Sequence, residues 1–157
     1  METNDHYEEI LKTYMQENNV PGEHLVFNQS TRSVAEAAEA AGVTPEDFVK
    51  NICMIDSNGS LIVGIVKGED RVSTSRVARH LGVAEVHIAT PDQILKRTGY
   101  PCGGTPSYGY EAQFLIDERV LQKEVVYTGG GSMNSLVKIR STELVKANQG
   151  QVVRIRK

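Results

Sequence analysis

Two apolar stretches joined by a tight turn near the middle of the chain constrain the fold most. Residues 50–55 and 61–66 are mainly apolar, and Asn58-Gly59 lies between them. Asn-Gly is a strong signal for a β-hairpin, because both residues tolerate the positive φ angles that two-residue hairpin turns need. The sequence therefore predicts an antiparallel strand pair here, which argues against a doubly wound parallel sheet.

Other helix and strand signals alternate irregularly around this hairpin. The first helix is predicted from an apolar stripe between Tyr7 and Met15. Later helices are predicted to begin at capping residues, which are Ser33, Thr44, Ser73, Thr90 and either Ser141 or Thr142. Further strands are predicted at residues 24–27, 86–89, 113–117, 124–127, 136–139 and 151–155. This order predicts an α+β fold with a mixed sheet. No repeat or linker divides the chain, so residues 1–157 are predicted to form a single domain.

Charge is unevenly distributed along the chain. Residues 1–48 carry ten acidic and two basic side chains, a net charge of −8, whereas residues 49–157 have a net charge of +5. Such asymmetry can present one basic face to a nucleic acid, although a solvated surface is the simpler explanation. The chain has two cysteines and no long apolar run. We therefore expect a cytoplasmic protein that does not contact a membrane.

Lys50 is the first candidate for a functional side chain. In a strand, it shares a face with Ile52 and Met54, whereas Asn51 and Cys53 point the other way. A lysine on an apolar face either extends to water from the end of its strand or is held in a pocket. In the pocket, its ammonium group would attract an anion or a carbonyl oxygen.

A segment rich in glycine and proline is the second candidate. Residues 99–109 contain four glycines and two prolines. Glycine lets a ligand approach the backbone closely, and proline stiffens the loop. Such a loop either presents several N–H groups to one oxygen atom, as in an oxyanion hole, or is a long structural crossover. A second glycine cluster, residues 129–131, either lines the same pocket or forms a wide turn.

Three segments in this order resemble the YbaK family, which is related to the editing domain inserted in bacterial prolyl-tRNA synthetases. They are Val49-Lys50 at the start of a strand, residues 98–109 and residues 128–132. The similarity covers about residues 5–155. It implies a strongly curved, barrel-like mixed sheet flanked by helices. It also implies a trans-acting deacylase that hydrolyses the ester bond of a mischarged aminoacyl-tRNA.

The resemblance also implies a set of site residues. Lys50 would be the catalytic residue. Gly103, Gly104, Pro106 and Gly109 would match the family's substrate-binding loop. From the same two glycine-rich segments, we add Gly99, Thr105, Gly130 and Gly131 as candidate substrate-binding residues. Lys96 and Arg97 are candidates for weak contacts with tRNA phosphates, because they directly precede the loop. No metal and no cofactor are expected. The expected partners are the acceptor end of a mischarged tRNA and a synthetase such as prolyl-tRNA synthetase.

The sequence departs from the cysteinyl-tRNA-directed branch of this family near the second glycine cluster. That branch carries a Ser and an Asp where Gly129 and Leu136 stand in this chain. The identity of the aminoacyl group is therefore open among cysteine, alanine and other small or hydroxylated groups.

Several other interpretations stay open at this point. Cys102 would be a nucleophile only if His80 or His87 folded against it, and we expect it to pack as a small apolar residue. The basic residues 154–157 are expected to form a solvated strand edge, with RNA contact as the alternative. Two alternative functions are a non-catalytic module that binds tRNA or a synthetase and a hydrolase that acts on small esters without tRNA.

Overall fold

A computed structural model describes residues 3–157 of the chain. Its α-helices are α1 (Asn4–Glu17), α2 (Val34–Ala41), α3 (Thr74–Leu81), α4 (Pro91–Thr98) and α5 (Ser141–Asn148). Its strands are β1 (Gly22–Val26), β2 (Val49–Asp56), β3 (Leu61–Lys67), β4 (Val86–Ile88), β5 (Gln113–Ile116), β6 (Val125–Gly129), β7 (Ser135–Arg140) and β8 (Gln151–Val152). Two short 3-10 helices span Pro45–Asp47 and Glu118–Gln122.

The described strands form two sheets. The larger one has the order β4-β2-β3-β5-β8, and the smaller one has the order β1-β7-β6. The predicted hairpin is confirmed, because β2 and β3 pair antiparallel from Val49 to Ile55. β5 joins β3 in parallel, so the larger sheet is mixed and the α+β prediction is confirmed. A parallel bridge between Phe48 and Tyr127 connects the two sheets. No closed barrel forms within residues 3–157, so the barrel-like closure is not confirmed.

Local capping signals explain where most helices begin. The side-chain oxygens of Ser33, Ser73 and Thr90 accept hydrogen bonds from backbone N–H groups in the first turns of α2, α3 and α4. The predicted cap of α5 is wrong. Its N-cap is Arg140, and the Ser141 hydroxyl donates instead to the Lys123 carbonyl at 2.6 Å.

Two boundary predictions also need correction. The predicted helix after Thr44 is a single 3-10 turn, Pro45–Asp47. The strand predicted at residues 151–155 is only the two-residue β8, and the chain then continues to a separate bridge between Arg156 and Val72. No helix within residues 3–157 is long and apolar enough to cross a membrane.

The apolar core lies on both faces of the larger sheet, as the alternation along β2 predicts. Val49, Cys53 and Ile55 belong to the cluster on one face. Met54 belongs to the cluster on the other face, with Ile52 packed against it. A third cluster joins α2 to the start of β2 and to β7 through Ala37, Ala38, Phe48 and Leu136. The first half of β2 therefore lies where the core clusters and the two sheets meet.

Candidate active site

A cavity of about 380 Å³ opens beside the first half of β2. Its walls come from the segment before α2, from the glycine-rich loop and from the end of β6. Its apolar lining residues are Val34, Ala37, Phe48, Val49, Ile52, Ile94 and Leu136. Its other lining residues are Thr31, Arg32, Ser33, Lys50, Asn51, Cys102, Gly103, Thr105, Thr128 and Gly129. Lys50 and Arg32 are the cationic residues of this lining, which includes no carboxylate. An apolar cavity with a few polar groups is typical of small-ligand sites.

The cavity exists because one edge of β2 is only partly covered. β2 pairs with β3 along its length, but it pairs with β4 only from Met54 to Asp56. The Cys53 carbonyl accepts a hydrogen bond from the Ala89 N–H at 2.9 Å, so it points to the β4 side. Backbone groups alternate in direction along an antiparallel strand, so those of Asn51 point to the same edge, towards the cavity.

Lys50 lies in the lining of the cavity beside this edge. Its side chain is half-buried, and its ammonium group makes no ion pair or hydrogen bond with residues 3–157. Burial lowers the pKa of Lys50, and the nearby positive charge of Arg71 lowers it further, whereas Asp70 opposes this effect. A partly desolvated cation without a partner attracts an anion or a carbonyl oxygen more strongly than a hydrated one does.

The glycine-rich loop approaches the cavity so closely that two of its glycines cannot carry a side chain. Gly103 has a φ of +94°, and a Cβ at this position would lie 2.9 Å from the Arg32 Cβ. A Cβ on Gly104 would lie 2.6 Å from the Ser132 carbonyl oxygen. The loop thus packs backbone to backbone against the second glycine cluster, and the Gly131 N–H donates to the Gly104 carbonyl at 2.8 Å.

Asn51 connects three segments at the cavity wall. Its amide nitrogen donates to the Thr105 carbonyl at 3.0 Å and to the Thr128 hydroxyl at 2.9 Å. Its amide oxygen accepts a hydrogen bond from the Ser107 hydroxyl at 2.7 Å. The Ser107 and Thr128 hydroxyls are also 2.7 Å apart. This network ties the loop to β2 and β6. We therefore assign Asn51 a positioning role.

The structure brings together only part of the predicted site. Of the predicted residues, Lys50, Gly103 and Thr105 line the cavity. The others lie outside its lining, and they are Lys96, Arg97, Gly99, Gly104, Pro106, Gly109, Gly130 and Gly131. Both Lys96 and Arg97 are exposed, and the Arg97 guanidinium donates to the Gly59 carbonyl at 3.1 Å.

Most of the lining was absent from the predicted site, including Arg32, Asn51, Thr128 and Gly129. The sequence carries a signal for Asn51, because it is a polar residue on the apolar face formed by Val49 and Cys53. Thr128 and Gly129 lie in the segment 128–132 that carries the family resemblance, and the glycine cluster was predicted either to line this pocket or to form a wide turn. Arg32 carries no comparable signal.

The expectation that Cys102 packs as a small apolar residue is wrong. Its side chain is exposed at the cavity, whereas Cys53 is buried and burial raises the pKa of Cys53 to about 12. His80 Nε2 lies 3.0 Å from Gln151 Oε1, and neither His80 nor His87 lines the cavity. Among residues 3–157, no three His, Cys, Asp or Glu side chains are grouped as metal ligands.

Comparisons with known proteins agree with this arrangement. Residues 28–147 match the family model of the aminoacyl-tRNA editing domain. The proline--tRNA ligase of Trichlorobacter lovleyi is 28% identical over 91 residues, which cover 58% of this chain and 16% of the ligase. The chain thus spans less than a fifth of that ligase. The uncharacterized protein YwhH of Bacillus subtilis is 21% identical over 136 residues, which cover 85% of this chain and 86% of that protein.

Solved structures share the fold over nearly the whole chain. The crystal structure of the hypothetical protein APE2540 has a TM-score of 0.87 at 27% identity and covers 94% of this chain and 99% of its own. A protein described as a candidate trans-editing enzyme for prolyl-tRNA synthetase has a TM-score of 0.88 at 22% identity. The match covers 100% of this chain and 99% of that protein. Together with the family match, these findings confirm the resemblance: the chain belongs to the aminoacyl-tRNA editing domain family.

Proposed function

We propose that this chain is a trans-acting deacylase that hydrolyses the ester bond of a mischarged aminoacyl-tRNA. One observation carries the proposal. Lys50, a half-buried cation without a partner among residues 3–157, lines the same cavity as the glycine-rich loop at Gly103 and Thr105. In this arrangement, a positive charge and the backbone of the loop lie beside the same cavity. Ester hydrolysis requires both a positioned substrate and groups that stabilise negative charge on its carbonyl oxygen.

The chemistry needs little beyond positioning and charge, because an aminoacyl ester is already activated. Water forms a bond to the carbonyl carbon, and the bond from that carbon to the ribose oxygen breaks. The ribose oxygen leaves with a proton. The carbonyl oxygen gains negative charge on the way, and donors aimed at it lower the barrier. We assign Lys50 to the ester carbonyl or to the phosphate of the terminal adenosine. We assign backbone N–H groups of the loop to the carbonyl.

Each predicted binding residue receives a role in this proposal. Gly103 and Thr105 border the substrate, whereas Gly104, Pro106 and Gly109 shape the loop behind them. Gly99 ends α4 in a left-handed conformation and starts the loop. In the second cluster, Gly131 holds the loop, because its N–H donates to the Gly104 carbonyl. Gly130 fixes the cluster to β1, because its carbonyl accepts a hydrogen bond from His24 Nε2 at 2.8 Å.

The cavity indicates the kind of aminoacyl group and partner. Its largely apolar lining favours an uncharged side chain, which includes those of alanine and cysteine. The similarity to proline--tRNA ligases makes tRNA(Pro) the first candidate substrate and prolyl-tRNA synthetase the first candidate partner. We further propose that residues 1–157 act as a single domain in the cytoplasm, where tRNA is charged.

A panel of mischarged tRNAs tests the proposal. Wild-type protein, Lys50→Ala and Lys146→Ala are compared on each substrate. Lys146 is a suitable control, because its side chain is 74% exposed on α5 and lies outside the cavity. We expect wild type and Lys146→Ala to release the amino acid at equal rates. We expect Lys50→Ala to be slower by about 100-fold or more.

Two results would contradict the proposal. If wild type hydrolyses none of the tRNAs but still binds them in a salt-dependent manner, the chain is a binding module. If it hydrolyses a simple aminoacyl methyl ester, which lacks the terminal adenosine, as fast as the tRNA ester, the nucleic acid is not part of its substrate.

A further inference from the structure

The segment that follows β3 lies against the last residues of the chain. The Ser73 N–H donates to the Ile155 carbonyl at 2.7 Å, and the Lys157 N–H donates to the Arg71 carbonyl at 2.9 Å. An antiparallel bridge pairs Val72 with Arg156 between these two contacts. Arg71 and Lys157 are therefore neighbours, and both are exposed.

The two segments that carry these neighbours pack on the sheet face to which the side chain of Lys50 belongs. A Cβ on Gly64 would lie 2.9 Å from Met54 Cε, 3.2 Å from Ile155 Cδ1 and 3.3 Å from Val72 Cγ2. Both segments thus pack on the face of Met54, which Lys50 shares by alternation along β2. In addition to burial, the charge of Arg71 lowers the pKa of Lys50, which agrees with this proximity.

Nearby carboxylates are already paired with other cations. Arg119 lies 2.8 Å from Asp70, and Lys67 lies 3.0 Å from Glu69. Arg156 forms ion pairs with Asp117 at 2.9 Å and with Glu118 at 3.4 Å. In contrast, Arg71 and Lys157 make no side-chain ion pair or hydrogen bond within residues 3–157. Their charges are available to an external anion.

We propose that Arg71 and Lys157 bind the backbone phosphates of the single-stranded 3′ end of the tRNA, directly outside the cavity. This inference rests on the proposed function. The aminoacyl ester is attached to the terminal ribose of the tRNA. When the ester faces Lys50 inside the cavity, the phosphates of the last nucleotides lie at the opening of the cavity. A guanidinium group binds phosphate through two parallel hydrogen bonds, and an adjacent ammonium adds a point charge.

Lys157 thereby gives the basic tail at residues 154–157 a role in RNA contact. The proposed pair also replaces the predicted phosphate contact of Lys96 and Arg97. Those two residues lie outside the cavity lining on α4, and Arg97 already donates to a carbonyl.

Salt dependence of binding gives the test. The dissociation constant for uncharged tRNA(Pro) is measured over a series of salt concentrations. Each phosphate contact on a single strand contributes about 0.7 to the slope of log K against log salt. We expect Arg71→Gln to lower the slope by about 0.7, Arg71→Gln with Lys157→Gln by about 1.4, and Arg71→Lys to retain it. We expect Arg71→Gln to weaken binding about tenfold at low salt.

Arg140→Gln is the matched control. Its side chain is 68% exposed on β7, beside an exposed glutamate at 3.8 Å. We expect it to leave the slope unchanged. The aminoacyl ester of adenosine, which lacks phosphates, is the second control substrate. We expect Arg71→Gln to hydrolyse this ester at the wild-type rate, because no phosphate contact is lost.

Three outcomes would overturn the inference. One is an equal slope for Arg71→Gln and Arg140→Gln. Another is a slope that falls in Lys96→Gln or Arg97→Gln and not in Arg71→Gln. The third is an equal loss of activity by Arg71→Gln on tRNA and on the adenosine ester, since Arg71 would then act through Lys50. Binding slopes are measured without catalysis, so a failure of the deacylase proposal is recognised separately.

Discussion

Removal of the Asn51 side chain is expected to loosen the cavity wall. Asn51→Ala deletes three hydrogen bonds, which join β2 to Thr105, Ser107 and Thr128. Ser107 and Thr128 are 0% and 1% exposed, so water does not readily replace the lost partner. Because these two hydroxyls keep their bond to each other, we expect a loss of about 2–4 kcal/mol in the free energy of unfolding. That is a large fraction of the ~5–15 kcal/mol typical of a domain.

Urea unfolding of wild type, Asn51→Ala, Asn51→Asp and Ser107→Ala measures this loss. Asn51→Asp replaces the amide nitrogen by an oxygen that faces the Thr105 carbonyl, so we expect it to be less stable than Asn51→Ala at pH 7. This repulsion raises the pKa of the new carboxyl in the folded state. The extra destabilisation should therefore disappear as the pH falls to about 4 and the carboxyl is protonated. A change below about 0.5 kcal/mol for Asn51→Ala would refute the positioning role.

Three further predictions concern other parts of the site and its support. Gly104→Ala places a Cβ 2.6 Å from a backbone oxygen, so thermal unfolding should show a loss of about 1–3 kcal/mol. Burial raises the pKa of Asp117, but hydrogen bonds from three backbone N–H groups and from Arg156 outweigh it, so the net shift is downward. The ionised carboxylate thus stabilises the fold at neutral pH, and this stabilisation is lost below about pH 4. Unfolding measured over a pH series should show a smaller decrease in the free energy of unfolding on acidification for Asp117→Asn than for wild type. Mass spectrometry should find the exposed Cys102 alkylated in the native protein and Cys53 protected, and Cys102→Ser should keep deacylase activity.

Local sequence signals predicted the elements well. The hairpin follows from Asn58-Gly59, and the starts of three helices follow from Ser33, Ser73 and Thr90, because each of these signals acts within four residues of the chain. Alternation along β2 also placed Lys50 and Ile52 on the face opposite Cys53. The cap of α5 was wrong for a non-local reason, since the Ser141 hydroxyl bonds the distant Lys123 carbonyl.

The candidate site was predictable in outline but not in detail. Lys50 and the loop around Gly103 were predicted, and both line the cavity. Which glycine of the second cluster reaches the cavity depends on register between distant segments, and it is Gly129 rather than Gly130 or Gly131. Arg32 lines the cavity only because the segment before α2 folds against the loop.

Single-turnover hydrolysis measures whether Lys50 contributes to the deacylation step. Wild type and Lys50→Ala are each mixed with the same mischarged tRNA at a protein concentration that saturates binding, and the rate of amino acid release is compared after equal thermal stability has been verified. We expect the rate for Lys50→Ala to be lower by about 100-fold or more. Equal rates for the two proteins would contradict this expectation.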